Sequence, residues 1–225
     1  MPHALIAVGT GQYADPWHPY EATGAAVATI LRDDGWTVDI DDDVDRALTR
    51  LGDVDLLVVS AGDPWRNPGD GPDAAITPPA AATEGLHAAL ERGIGILALH
   101  SATASLRDYP AYRAAIGGEW RPGTSWHPPP RPARVAVAAS PPLVAGLDEI
   151  AATDELYSDL IVDTDLEVLV AHELGGTRHP LVWVREAPAR AVVSAFGHDA
   201  RAYDSPDVQR LIRQSADWAG RRARG

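Results

Sequence analysis

The chain has no cysteine and no lysine, and only one phenylalanine and one methionine in 225 residues. Without cysteine there can be no disulfide, no thiolate nucleophile and no Cys-ligated zinc or iron–sulfur centre. Without lysine, Schiff-base and lysine general-base chemistry are excluded, because all 19 basic side chains are arginines that stay protonated. Positive charge is also scarce overall: the formal net charge is -13, and the arginines are scattered rather than gathered into a stripe. Such a surface repels phosphate backbones and anionic lipid, so neither nucleic acid nor a membrane is expected as a partner. No apolar run approaches the roughly 20 residues that span a bilayer. The opening Met1–Gly9 lacks the basic segment of a secretory leader, and a cytoplasmic protein is the expectation.

The composition, 45% hydrophobic and 23% charged, is that of an ordinary globular protein, and nothing in it marks a break between domains. One domain over residues 1–225 is expected. Ala4–Val8 is a continuous apolar run stopped by Gly9, Thr10 and Gly11, the pattern of a strand buried on both faces of a parallel sheet. A helix from Pro19 to Asp34 follows, then strands at Trp36–Ile40 and Val54–Ser60, a helix from Pro79 to Arg92, and a strand at Ile94–Leu99. Alternation of this length predicts parallel pairing with right-handed crossovers. Beyond short helices near Leu106 and Tyr109–Ile116, a Gly-, Trp- and Pro-rich loop runs from Gly117 to Pro132. Strands are expected at Ala133–Ala138, Leu166–His172, Pro180–Arg185 and Ala191–Phe196. A closing helix, Pro206–Ala219, is capped by Ser205. The fold class is α/β, a sandwich on a mostly parallel sheet with antiparallel additions.

In such sheets the ligand crevice lies beyond the carboxyl ends of the strands, and there the chain is rich in histidine. The loop after the first strand holds Tyr13, Asp15, Trp17, His18 and Glu21; His100 and Ser101 follow Leu99; Gly197, His198 and Asp199 follow Phe196. Histidine serves both as metal ligand and as acid or base near neutral pH. A lone histidine at a strand end is more often a hydrogen-bonded structural residue, but two at separate strand ends shift the balance for His100 and His198. His18, before Pro19 and three residues from Glu21, fits either a site or a helix start. Trp126 and His127 lie in the long loop with no strand to place them. His3, His87 and His172 read as surface or structural residues, and His179 is ambiguous. Gly9-Thr10-Gly11 lacks the third glycine of a dinucleotide fingerprint, so no nucleotide cofactor is expected. The run Asp39–Asp43 reads as a solvated edge, and Ser101 has no Gly-x-Ser-x-Gly around it.

Five ordered blocks, GILALHSAT (Gly95–Thr103), GTSWHPP (Gly123–Pro129), TDELYSD (Thr153–Asp159), HPLVWVRE (His179–Glu186) and GHDARAYD (Gly197–Asp204), together with Trp17-His18-Pro19, resemble ThuA-like proteins over nearly the whole chain. The resemblance implies a flavodoxin-like, class I glutamine amidotransferase-like three-layer sandwich. It puts His100 where those enzymes carry their catalytic cysteine, His198 at their catalytic histidine and Asp199 near the acidic partner. An imidazole cannot form a thioester, so amidotransferase chemistry is excluded, and metal binding or paired proton transfer remain open. The implied field is sugar metabolism, with trehalose and keto-sugars as candidates; a metal- or histidine-dependent acid/base enzyme on a sugar is expected, with a non-catalytic sugar-binding protein or a metal-dependent hydrolase as alternatives. The expected catalytic residues are His100, His198 and Asp199. The metal set is His18, His100, His127 and His198 around Zn or Mn. Substrate contacts are expected from Trp17, His18, Glu21, Trp126, His127, Glu155, Tyr157 and Tyr203, with Trp65 and Trp120 as further loop tryptophans. The partner is a small sugar, and a homodimer is the default assembly.

Overall fold

The computed structural model describes residues 1–66, 77–138 and 142–222. In chain order its elements are β1 (His3–Val8), α1 (Tyr20–Asp33), β2 (Thr37–Asp41), α2 (Val44–Thr49), β3 (Leu56–Ser60), α3 (Ala80–Arg92), β4 (Gly95–Leu99) and α4 (Pro110–Ile116). There follow β5 (Gly118–Glu119), β6 (Arg131–Ala136), β7 (Glu149–Asp154), β8 (Ile161–Val162), β9 (Glu167–Leu174), β10 (Thr177–Arg185), β11 (Ala191–Ser194) and α5 (Pro206–Ala219).

The central sheet has seven strands in the order β2-β1-β3-β4-β11-β10-β9. The first five in that order are parallel, while β10 and β9 extend the sheet antiparallel. Strands β3, β4 and β11 are buried at every position and β1 at all but its first. Apolar side chains on both pleats leave no solvated face, so helices must cover the sheet on both sides. Edge strand β2 shows the opposite pattern, with Thr37, Asp39 and Ile40 exposed. Helix α5 begins where Ser205 Oγ accepts the Val208 amide at 3.3 Å, and it buries Val208, Leu211, Ile212 and Ser215. It lies so close to β4 that a Cβ on Gly95 would stand 2.5 Å from the Ala219 carbonyl. Among the described residues no helix is long and apolar enough to cross a membrane.

The structure departs from the sequence reading at β6 and β7 and along the acidic run. The expected strand at Ala133–Ala138 forms as β6, but it pairs with β7 in a separate two-stranded sheet, and β7 itself was not anticipated. The acidic run is not simply a solvated edge. Asp41 is 1% exposed and accepts Arg46 Nε at 3.0 Å and Arg50 Nη1 at 2.6 Å, while Asp43 caps α2 through the Arg46 amide at 2.9 Å. Two arginines one helical turn apart repay the burial of one carboxylate. After Gly9-Thr10-Gly11 the chain makes a single 3-10 turn, and α1 starts only at Tyr20, so these glycines open no helix toward a phosphate.

The strand order brings the carboxyl ends of β1, β3, β4 and β11 side by side. Loops that are distant in sequence are thereby delivered to one crevice.

Candidate metal centre

Strand β4 ends at Leu99, and His100 turns off it with φ +48, a left-handed conformation rare for a residue with a side chain. The turn sends the imidazole into the crevice, where it is 1% exposed. Its Nδ1 lies 2.7 Å from the carbonyl of Ala195, just past β11. A carbonyl only accepts, so Nδ1 carries the proton and Nε2 presents a lone pair. His18 is set in the same way from the β1 side: its Nδ1 is 2.8 Å from both Asp15 carboxylate oxygens, leaving Nε2 free to coordinate. Asp15 is held in turn by the Tyr20 hydroxyl at 2.6 Å, and the same hydroxyl lies 3.0 Å from Ser101 Oγ.

His198 and Glu155 complete the group. Both are aligned by Asp154, whose fully buried carboxylate accepts the backbone amides of Gly197 (2.6 Å), His198 (3.1 Å) and Glu155 (2.9 Å). Burial pushes the Asp154 carboxyl above its ordinary range, against the pull of His100 and these three amides. The one ligand atom offered by each of His18, His100, Glu155 and His198 lies within 4.8 Å of the others. Glu155 Oε2 stands 3.5 Å from His100 Nε2 and 3.2 Å from His198 Nδ1, close but misaligned for hydrogen bonds. Together with His18 Nε2 these make four buried polar atoms without a hydrogen-bond partner, all facing one another. Buried polar atoms are almost always satisfied. Four orphans at one point, three imidazole nitrogens and one carboxylate oxygen, form a donor set suited to a divalent transition metal.

The electrostatics agree with that reading. Burial, helped by the charges of His100 and His198, draws His18 below the usual histidine range despite Asp15. Burial alone would raise Glu155, but its contacts with His100 and His198 outweigh this and hold the carboxyl far below the ordinary value. The same contact with Glu155 lifts His198 against the opposing effect of burial.

Beside the quartet is a cavity of about 360 Å³. Trp17, His18, His127, Glu155 and Tyr157 line it, as does His198, and His100 sits just behind. Trp120, Asp15, Asp63 and Ser101 line it too. The rings of Trp120 and Tyr157 meet edge to face at 4.6 Å, and His127 tilts against both.

Other expected site residues lie elsewhere. Asp199 is engaged by Arg201, whose Nη2 donates at 2.5 Å, and it caps the following turn; toward His198 it acts by its charge and makes no hydrogen bond. Glu21 is exposed in the first turn of α1. Trp126 is 44% exposed, its indole N–H donating to Asp159 at 2.8 Å outside the cavity. Tyr203 is buried beneath Gly197. His127 is not in the metal quartet, and its Nδ1 stands 3.3 Å from Glu155 Oε1 on the cavity side. Glu155, expected at the substrate or alongside the histidines at a metal, stands with His18, His100 and His198 in the group that could hold an ion. His172, read as structural, and His179, left ambiguous, stack at 5.0 Å behind the Tyr157–Asp159 loop, and His87 is exposed on α3. Asp63 and Asp154 were not anticipated as part of the site, and Asp15, named in the loop after the first strand, carried no role. Asp15 stands at an i,i+3 spacing from His18 and Asp63 follows a buried strand, signals a strand-end reading could have used.

Gly197 has φ +118, and a Cβ there would lie 2.3 Å from the Tyr203 hydroxyl. Gly197→Ala is therefore expected to cost about 2 kcal/mol or more and to displace His198. A thermal melt would read the first effect and a metal titration the second; unchanged values in both would show that the turn tolerates a side chain.

A mostly parallel sheet with a left-handed turn after its central strand and a crevice at the strand ends defines a class I glutamine amidotransferase-like fold. Here that turn carries histidine, not cysteine. The chain belongs to the ThuA family, described as trehalose utilisation, whose model matches residues 4–219. Membership gives it a carbohydrate-related role. No curated protein matches the chain. Among solved structures it is similar to a ThuA-like protein from Parabacteroides merdae (18% identity, TM-score 0.75, covering 98% of this chain and 90% of that one). A ThuA-like protein from Bacteroides uniformis gives 18% identity and a TM-score of 0.72, covering 97% and 91%. A glutamine amidotransferase from Thermotoga maritima gives 11% identity and 0.56, covering 97% and 98%. At these identities the likeness is one of fold.

Proposed function

We propose that this protein is a metal-dependent enzyme acting on a sugar, with His18, His100, His198 and Glu155 holding one zinc or manganese ion. The observation that carries this reading is the convergence of four buried, unpartnered donor atoms on one point. Bound there, a divalent ion would supply Lewis acidity toward a carbonyl or hydroxyl oxygen. The protein's own groups do the rest. Trp17 and Trp120 offer flat faces for a sugar ring, and Tyr157 with Trp120 walls off water. His127, the half-exposed imidazole beside Glu155, is placed to take or return a proton at its ring nitrogen, the step an aldose–ketose or keto shift requires next to a carbonyl. The experiment is elemental analysis of the purified protein followed by a turnover assay on trehalose, glucose and their keto forms. About one ion per chain and conversion lost on chelation are expected; metal-free protein that still converts sugar would overturn the metal reading.

Two further outcomes follow from the second layer and from titration. Asp15→Asn leaves every ligand in place but weakens the orientation of His18, and metal affinity is expected to fall roughly 10–100-fold. A chelator competition would read it, and affinity within a factor of two of wild type would count against the role given to Asp15. Metal binding also requires neutral His198, whose value lies above the ordinary 6.5. Affinity should therefore fall as pH drops through that raised value, by up to about tenfold per pH unit, and level off above it. The same competition run near pH 6 and near pH 8 measures this, and a flat profile would contradict it.

A further inference from the structure

A histidine that binds a metal ordinarily gives its other ring nitrogen to a protein acceptor, which fixes the ring. Two of the three imidazoles in the quartet follow that rule. His18 gives Nδ1–H to Asp15 at 2.8 Å, and His100 gives Nδ1–H to the Ala195 carbonyl at 2.7 Å. His198 does not. Its Nδ1 is the nitrogen sealed inside the quartet, 3.2 Å from Glu155 Oε2. Its Nε2 is bonded to no described residue, and the ring lines the cavity with its side chain 14% exposed. The acid next to it in the chain does not fill the gap, because Asp199 is held by Arg201 through Nε at 3.0 Å and Nη2 at 2.5 Å. The ring is nonetheless held in place. Asp154 accepts the His198 backbone amide at 3.1 Å, and the rings of His18 and His100 meet it edge to face at 4.9 and 5.5 Å.

Coordination decides what that second nitrogen can do. A neutral imidazole carries one proton on one of its two nitrogens, so an ion bound through Nδ1 leaves the proton on Nε2. The loaded site then presents the cavity with an N–H donor that has no protein acceptor. Water satisfies such a donor until a ligand oxygen takes its place. An oxygen accepting from Nε2–H would serve His198 as Asp15 serves His18 and as Ala195 serves His100. An outer partner of this kind is worth roughly 10–100-fold in metal affinity. The coupling is reciprocal, so the factor by which such a ligand tightens the metal is the factor by which the metal tightens the ligand.

We propose that the Nε2–H of His198 receives a carbonyl or hydroxyl oxygen of the substrate, so that the substrate supplies the outer partner this ligand lacks and binds cooperatively with the metal. This rests on the reading of the quartet as a metal centre and of the cavity as a sugar site. The test uses protein isotopically labelled at the histidine nitrogens, with trehalose, glucose and their keto forms as probes and zinc content measured on the same samples. Long-range proton–nitrogen spectra of the zinc-loaded protein are expected to show Nδ1–H at His18 and His100 but Nε2–H at His198. A saturating sugar should shift the His198 N–H signal and slow its exchange with water, while the N–H signals of His18 and His100, which keep their protein partners, should not respond in this way. Zinc affinity, read by chelator competition, should rise roughly tenfold or more when the sugar is present, and the sugar's affinity should rise by the same factor when zinc is added. A His198 that only holds the ion would leave its N–H exchanging freely, indifferent to the sugar. Nδ1–H at His198 in the zinc-loaded protein, a His198 signal unmoved by every probe, or zinc affinity unchanged by sugar would each overturn the proposal. Protein that takes up no zinc overturns the metal reading and this one with it. Zinc-loaded protein whose His198 ignores the sugar leaves the metal centre standing and removes this inference alone.

Discussion

Replacing His100 with alanine is expected to abolish the proposed metal binding, with affinity reduced by more than about a hundredfold, beyond the 10–100-fold that loss of an outer partner costs. The reason is geometric. His100 is almost fully buried, its Nδ1–H is committed to the Ala195 carbonyl, and Nε2 faces Glu155 Oε2 at 3.5 Å with no other partner. No neighbouring side chain can take its place, because the other three donors are fixed by supports of their own. His87→Ala, altering an exposed imidazole on α3, should change nothing and serves as the control. Thermal shift gives a second readout. A ligand at a hundred times its Kd stabilises by about 2.7 kcal/mol, or roughly 5–10 °C for a chain of this size. Wild type should show that rise on adding zinc and His100→Ala should not; a variant that keeps both the ion and the shift would show that the quartet is not a metal centre.

The second large effect is expected at Asp154. Its side chain is wholly buried and satisfies three backbone amides, those of Gly197, His198 and Glu155. Asp154→Ala leaves all three without an acceptor in a dry site, at about 1 kcal/mol or more each. The sum, about 3 kcal/mol at least, corresponds to a fall in Tm of roughly 6–12 °C. Metal affinity should fall with it, since one carboxylate positions two of the four ligands. Asp154→Asn should be intermediate, because an amide keeps one accepting oxygen but offers N–H groups where another acceptor is needed. A Tm for Asp154→Ala within about a degree of wild type would refute this account of how the two loops are joined.

Much of this fold could be read from patterning alone. The continuous apolar run at Ala4–Val8, and its alternation with helices and the strands at Val54–Ser60 and Ile94–Leu99, announced a parallel sheet, since a strand covered on both faces can be apolar at every position. The capped amphipathic segment from Ser205 to Ala219 announced the last helix. Strand β7 was harder to see: Glu149–Asp154 buries only Ile150 and Asp154, so it shows no clear period of two. Helix α2 lay hidden in an acidic stretch because its stability comes from Asp43 capping and from Arg46 and Arg50 reaching Asp41, contacts that composition does not display.

What the sequence determined by itself is the chemistry available: no thiol and no lysine amine, hence no amidotransferase and no Schiff base, with histidines concentrated after buried strands. It also determined the sheet, because apolar periodicity is local. What only the tertiary structure decided is which of those side chains meet. His18, His100, Glu155 and His198 converge because β1, β4 and β11 lie near one another in the strand order while β7 delivers Glu155 from outside the sheet. Asp199, Glu21, Trp126 and Tyr203 stand close to these loops in sequence yet lie elsewhere, Asp199 and Trp126 bonded to nearer partners, Glu21 in solvent and Tyr203 buried under Gly197. Sequence separation carries no information about side-chain direction at a loop. That direction is set by single events such as the left-handed turn at His100 and the amides gathered by Asp154, which exist only once the strands have paired.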